Sequence, residues 1–169
     1  MINEKLFRPG SIAVVGASNN IMKPGGKILK NLTDHKYKGR LYAVNPKYDD
    51  IQGFSAYHSV EELPSVDLAI LAIPASGCLN VVEILASKKD AGAFIIVSGG
   101  FGETGDEGKK AEDDIAEVVN RYNACLIGPN CIGVMTPHHT SVFTTPVPNL
   151  RADGCDFISG SGATAVFII

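Results

Sequence analysis

The sequence predicts an α/β fold of the Rossmann-like, doubly wound kind, a mainly parallel sheet with helices on both faces. Short runs rich in Val and Ile recur along it, longer amphipathic stretches lie between them, and Gly, Pro and Asn mark the joints. Strands alternating with helices produce that rhythm. Most of the apolar runs lack polar alternation, as strands covered on both faces do. At 169 residues the chain suits one main domain, with room for part of a second.

The first strand is expected at 11–15, followed by a helix at 26–32 that Pro24-Gly25-Gly26 opens. Strands come next at 41–44 and 68–72. A helix at 77–88 sets Leu79, Val82, Leu85 and Ala86 near the three-to-four spacing of one apolar face. After a strand at 94–97, Thr104 and Glu107 read as a capping box. Acids crowd the first turn, Arg121 sits in the last, and Ile115, Val118 and Val119 supply the buried stripe, which together mark a packed amphipathic helix. Strands at 125–127 and 156–158 complete the set. Residues 136–153, rich in proline and polar groups, read as a connecting segment. The domain is therefore expected over 1–150. Over 151–169, Cys155-Asp156-Phe157-Ile158, Ser159-Gly160-Ser161-Gly162 and the apolar run after them read as strand, tight turn and the first turns of a helix. That unit is expected to be a truncated second domain, and the chain a piece of something longer.

A formal net charge of −3 gives no electrostatic reason to expect nucleic acid or an anionic membrane as partner. No apolar run approaches the roughly 20 residues that span a bilayer, and the start Met1-Ile2-Asn3-Glu4-Lys5 has no apolar leader core. A cytoplasmic location follows as the expectation. The four cysteines, Cys78, Cys125, Cys131 and Cys155, form no C-x-x-C pair and are expected as reduced thiols. His138 and His139 are adjacent with no Cys or carboxylate at zinc-finger spacing, so a loop pair is expected there and not a metal site.

The most informative point is the first strand-to-helix turn, Gly16-Ala17-Ser18-Asn19-Asn20. Such a turn aims free backbone N–H groups and the positive end of a helix dipole at one spot, which favours a phosphate. The same small residues would equally let the helix pack closely on the sheet, and the turn alone leaves both readings open. A redox dinucleotide site is disfavoured twice: G-x-G-x-x-G is absent, and the second strand ends in Val44-Asn45-Pro46-Lys47, where such a site wants an acid for the ribose 2′-OH. Lys47 would suit a phosphate on the adenosine ribose, as in coenzyme A or NADP. Taken singly, it is also an ordinary solvated lysine beside Pro46.

Three later loops fall at the same carboxyl edge: Ala72-Ile73-Pro74-Ala75, Val97-Ser98-Gly99-Gly100-Phe101-Gly102 and Gly128-Pro129-Asn130-Cys131. The glycines let the main chain run close to a long ligand, and Asn130 offers donors and acceptors to an amide. Four loops on one edge make a binding site the better reading than any one of them does. No catalytic constellation accompanies them. Ser18, Ser98 and Ser161 sit on Gly-flanked turns, but G-x-S-x-G is missing and no His lies in these motifs. A lone Cys131 reads as a packed residue.

The succession from Leu6-Phe7-Arg8-Pro9-Gly10-Ser11 through Val15-Gly16-Ala17-Ser18, Tyr42-Ala43-Val44-Asn45-Pro46-Lys47, Asp67-Leu68-Ala69-Ile70-Leu71-Ala72-Ile73-Pro74 and Gly128-Pro129-Asn130-Cys131-Ile132-Gly133 resembles the CoA-binding domain of NDP-forming (ADP-forming) acyl-CoA synthetases, relatives of the succinyl-CoA synthetase α subunit. Ser159-Gly160-Ser161-Gly162-Ala163 resembles the turn that begins that family's next, flavodoxin-like domain. The resemblance implies coenzyme A as the ligand. Its phosphates would be held by Gly16, Ala17, Ser18 and Asn19 and its nucleotide end by Lys47. Val97, Ser98 and Gly99 would line its path, with the Pro74 and Asn130 loops as neighbours. It also implies a reaction interconverting acid, CoA and NTP with acyl-CoA, NDP and phosphate, for which the phosphohistidine and ATP-grasp parts would lie in partner domains or subunits. This chain would bind CoA without turning over alone. The sequence departs from the pattern by inserting Asn20-Ile21-Met22-Lys23 before the helix glycines. The competing expectation is a regulatory Rossmann module binding NAD(P) or CoA without chemistry, of the kind fused to protein acetyltransferases.

Overall fold

The computed structural model describes residues 3–149, 153 and 157–168. Asn3 accepts the Leu6 N–H at 3.1 Å and so starts a one-turn helix, α1 (Glu4–Phe7). There follow β1 (Ser11–Val15), α2 (Pro24–Asp34), β2 (Arg40–Val44), β3 (Asp50–Ile51), β4 (Phe54–Tyr57), β5 (Leu68–Leu71), α3 (Ala75–Lys88), β6 (Ala93–Ile96), α4 (Asp106–Arg121), β7 (Cys125–Ile127), β8 (Gly133–Met135), β9 (Thr140–Val142) and α5 (Gly162–Ile168).

The sheet runs in the order β3-β4-β2-β1-β5-β6-β7. All neighbours are parallel except β3 and β4, which form an antiparallel hairpin at the edge. Strand alternation divides β1 between two cores. Ile12 and Val14 turn to one face with Leu6 of α1 and Ile28, Leu29 and Leu32 of α2. Ala13 and Val15 turn to the other, with Val82 and Leu85 of α3 and Ile115 and Val118 of α4. Each such Ile, Leu or Val, fully withdrawn from water, contributes about 1.5–3 kcal/mol to holding the layers together. The Rossmann-like class, the mainly parallel sheet and the helices on both faces are as the sequence predicts.

Three local expectations are corrected. Thr104 does not cap α4: its hydroxyl donates to the Phe101 carbonyl at 2.8 Å, closing a 3-10 turn over Gly102–Thr104. Gly105, at φ +111°, takes the cap position with no side-chain bond. A hydroxyl bonded to an upstream carbonyl has turned away from the helix donors it was expected to serve.

The segment read as a connector over 136–153 also contains regular structure, in its first part. β8 and β9 pair antiparallel across residues 133–142, and this hairpin docks on α2. There the buried Asn31 carboxamide donates to the Val142 and Thr144 carbonyls at 2.7 and 3.1 Å, and Thr140 donates back to the Asn31 carbonyl at 3.1 Å. Three-residue strands fixed by side-chain hydrogen bonds leave no periodic signal to read. Finally, of the strand expected at 156–158, Asp156 lies outside the described residues, while Phe157 and Ile158 are in no strand and are 50% and 86% exposed. The turn and helix expected after them are present, with Ser161 Oγ accepting the Thr164 N–H at 3.3 Å.

Candidate functional site

Strand order brings the carboxyl ends of β2, β1, β5, β6 and β7 to one edge. The winding reverses between β1 and β5, which opens the crevice where sheets of this kind receive ligands. Gly16 stands at that point. Its N–H bonds to the Val44 carbonyl at 2.9 Å, its φ is +85°, and a Cβ there would lie 2.4 Å from the Ala72 carbonyl oxygen. Only glycine fits where β1, β2 and β5 converge.

Gly25 and Gly26 are tight for a different reason: added Cβ atoms would sit 2.1 Å from the Gly16 oxygen and 2.2 Å from the Asn20 oxygen. The turn therefore folds directly onto the start of α2, and the packing reading holds for these two. The phosphate reading keeps its own support. Lys23 at the N-cap makes no side-chain cap bond, and the first turn of α2 carries no acid. Among the described residues, the leading N–H groups and the positive helix end thus have no side-chain acceptor.

Around this turn the side chains divide between bracing and exposure. Ser18 Oγ accepts the Asn20 N–H at 3.1 Å. Asn19 is committed at both ends of its carboxamide, accepting Gln52 N–H at 2.8 Å and donating to the Asp50 carbonyl at 3.0 Å. Gln52, at φ +54° in the β3–β4 turn, donates in return to the Ser18 and Gly26 carbonyls at 2.8 and 2.9 Å. Sequence reading missed Gln52; only the Gln52-Gly53 turn pair marked it, since its partners lie 26 and 34 positions away. Asn45 donates to the Ala17 carbonyl at 2.8 Å and accepts the Lys47 N–H at 3.0 Å, fixing the main chain of Lys47. The Lys47 side chain is exposed, and no ion pair among the described residues involves it.

Farther along the edge, Pro74 occupies the N-cap of α3. Val97 is buried and donates to the Leu71 carbonyl at 3.1 Å. The Ser98 carbonyl accepts the Asn130 N–H at 3.0 Å, which ties the β6 and β7 loops together. Gly99 and Asn130 are exposed, the latter at φ +56°. Glu103, another residue not singled out from sequence, accepts the Gly100 and Phe101 N–H groups at 2.6 and 3.2 Å. Those backbone bonds, that from Gly100 first, hold its carboxyl below the usual range.

Thus Gly16, Ala17, Ser18, Asn19 and Lys47 gather beyond β1 and β2, while Val97, Ser98, Gly99 and Asn130 gather beyond β6 and β7, with Pro74 in the loop that follows the intervening β5. Cys131 behaves as a packed thiol: its Sγ lies 3.3 Å from the Ile96 carbonyl, and burial pushes its pKa up. Among the described residues no group of three or more His, Cys, Asp or Glu could hold a metal ion, and no helix is long and apolar enough to cross a membrane.

A family described as CoA binding domain matches residues 10–137. The chain is 38% identical over 164 residues to the α subunit of acetate–CoA ligase [ADP-forming] II of Pyrococcus furiosus, a match covering 96% of this chain and 35% of that protein. A Pyrococcus horikoshii crystal structure aligns over 99% of this chain and 38% of its own length, at TM-score 0.87 and 38% identity. The dinucleotide-forming acetyl-coenzyme A synthetase 1 of Ca. Korarchaeum cryptofilum, solved with phosphate and ADP, aligns over 98% of this chain and 35% of its own, at TM-score 0.81 and 30% identity. The chain spans about a third of the length of these relatives. Fold, sequence and extent of match together show that the chain belongs to the CoA binding domain family, as it occurs in ADP-forming acyl-CoA synthetases.

Proposed function

We propose that the chain grips coenzyme A along the carboxyl edge of its sheet on behalf of an NDP-forming acid–CoA ligase, whose nucleotide and phosphoryl-transfer parts lie in partner domains or subunits. The observation that carries this reading is an uncapped α2 N-terminus beside Gly16, at the switch point, together with Lys47 in the loop after the neighbouring β2, an exposed lysine with no ion pair among the described residues. Both features fit a phosphorylated adenosine: the helix end and the Gly16-Ala17-Ser18 turn would take the pyrophosphate, and Lys47 the 3′-phosphate. Asn19 would serve mainly as a brace, because its carboxamide is already engaged with the β3–β4 turn. Pro74, Val97, Ser98, Gly99 and Asn130 would line the arm of the carrier.

When bound, coenzyme A supplies the thiol that takes up an acyl group. The chain's own part is to hold the phosphates, orient the arm and leave the thiol accessible to the rest of the enzyme. A redox dinucleotide is disfavoured because β2 ends without an acid: Asn45 stands there, its carboxamide committed to the Ala17 carbonyl and the Lys47 N–H. The free thiols Cys78, Cys125 and Cys131 fit a reducing, cytoplasmic setting.

Calorimetric titration with CoA, dephospho-CoA, NAD and NADP tests the reading. CoA is expected to bind most tightly and NAD not to compete. Binding of NAD with no response to CoA would overturn it.

A further inference from the structure

The β6 loop carries a group whose role lies outside the phosphate turn. Glu103 takes two backbone N–H bonds from Gly100 and Phe101, which fixes its carboxylate against the loop. That carboxylate faces Gly99, where an added methyl would lie 2.8 Å from Glu103 Oε1 and 3.5 Å from Asn130 Oδ1. Two acceptor oxygens from two different loops therefore converge over one glycine. The loops are held in that relation by the Asn130 N–H to Ser98 carbonyl bond at 3.0 Å. A carboxylate oxygen retains a lone pair after one N–H bond, and no hydrogen bond among the described residues engages the Asn130 carboxamide. An N–H donor brought in beside Gly99 would meet both of these oxygens.

Position selects the donor. β6 lies two strands from β1 and β7 three, so the pair sits about 10 to 14 Å along the edge from the Gly16 turn at ordinary strand spacing. A pantetheine arm, extended from a pyrophosphate held at that turn, carries two amide N–H groups across that interval.

We propose that Glu103 and Asn130 form an acceptor pair that takes an amide N–H of the pantetheine arm and so fixes the thiol end of the carrier at the β6–β7 end of the edge. The inference rests on the coenzyme A reading above. Gly99 is then required for clearance and Glu103 for both loop shape and arm binding.

The test compares the full chain with E103Q and N130A, titrating CoA and adenosine 3′,5′-bisphosphate, a probe that keeps a phosphorylated head and lacks the arm. Circular dichroism confirms that each variant is folded. Loss of a charge-assisted bond should weaken CoA about tenfold in E103Q, with a smaller loss in N130A and the bisphosphate changed less than about twofold in both. The Gly100 and Phe101 amide resonances should shift when CoA is added and stay in place with the bisphosphate. Equal losses for both ligands in E103Q would make Glu103 purely structural and overturn the proposal, as would wild-type CoA affinity in both variants. If the unaltered chain binds neither ligand, the coenzyme A reading itself falls, an outcome distinct from the other two.

Discussion

At Lys47 the main chain is fixed and the side chain is not. Asn45 accepts the Lys47 N–H while its other end holds the Gly16-Ala17-Ser18 turn through the Ala17 carbonyl, so the exposed side chain extends from a positioned root. Lys47→Ala should weaken CoA about tenfold, the value of one charge-assisted contact, and change dephospho-CoA little, since only CoA carries the 3′-phosphate. Isothermal titration with the two ligands reads this directly, and equal losses would remove Lys47 from the site. The importance of Gly16 was legible in the sequence because a glycine after a buried strand has a small set of physical uses. The clearance of 2.4 Å to the Ala72 carbonyl identifies which use applies. Gln52 and Glu103 were not legible, because their roles arise from bonds to backbone atoms of loops, and backbone partners leave no mark in residue type.

Among the elements, the β8–β9 hairpin departs furthest from expectation. His139 in it is 3% exposed, with Nε2 2.7 Å from the Leu6 carbonyl and Nδ1 2.7 Å from Ser141 Oγ. The carbonyl can only accept, so Nε2 carries the proton and donates, and in the neutral ring Nδ1 accepts the Ser141 hydroxyl. Burial lowers the imidazole pKa from 6.5 to about 4, against a smaller opposing effect of the Leu6 carbonyl and with some help from the neighbouring His138. Because the folded value is below the unfolded one, stability from this group is whole above pH 6.5 and is lost as pH falls toward 4. Between pH 7 and pH 5 this one group should cost the fold about 2 kcal/mol. Urea unfolding at the two pH values checks it: the drop should shrink by about that amount in His139→Gln, and an unchanged drop would show that this imidazole does not govern the acid sensitivity. The sequence concealed the element because residues 136–139 hold it through side chains. Thr136 Oγ1, for example, donates to the Phe7 carbonyl at 3.1 Å and accepts the His138 and His139 N–H groups. The opposite case is α4, whose apolar stripe of Ile115, Val118 and Val119 is buried as its spacing predicts; only its first residues were misread, where the Thr104 hydroxyl chose Phe101 over the helix.

For the whole molecule, two-sided burial of β1, β5 and β6 follows from runs of consecutive apolar residues, and a sheet covered on both faces can present ligand loops only at its ends. That is why the fold and the edge could be read together from composition and punctuation, whereas the short strands β3, β8 and β9, which lie outside the continuous apolar runs, could not. The β3–β4 hairpin illustrates the cost of the omission: too short to show a pattern, it supplies the turn that braces the Gly16–Asn19 loop through Asn19 and Gln52. The central claim is that this single edge holds a phosphorylated, thiol-bearing carrier stretched from β2 to β7. A crystal structure of the chain grown with coenzyme A tests it most directly. The account predicts the pyrophosphate at the Gly16-Ala17-Ser18 turn, Lys47 on the 3′-phosphate and the arm passing over Gly99. A carrier bound on any other face, or a turn left without phosphate while the carrier is bound elsewhere, would contradict it.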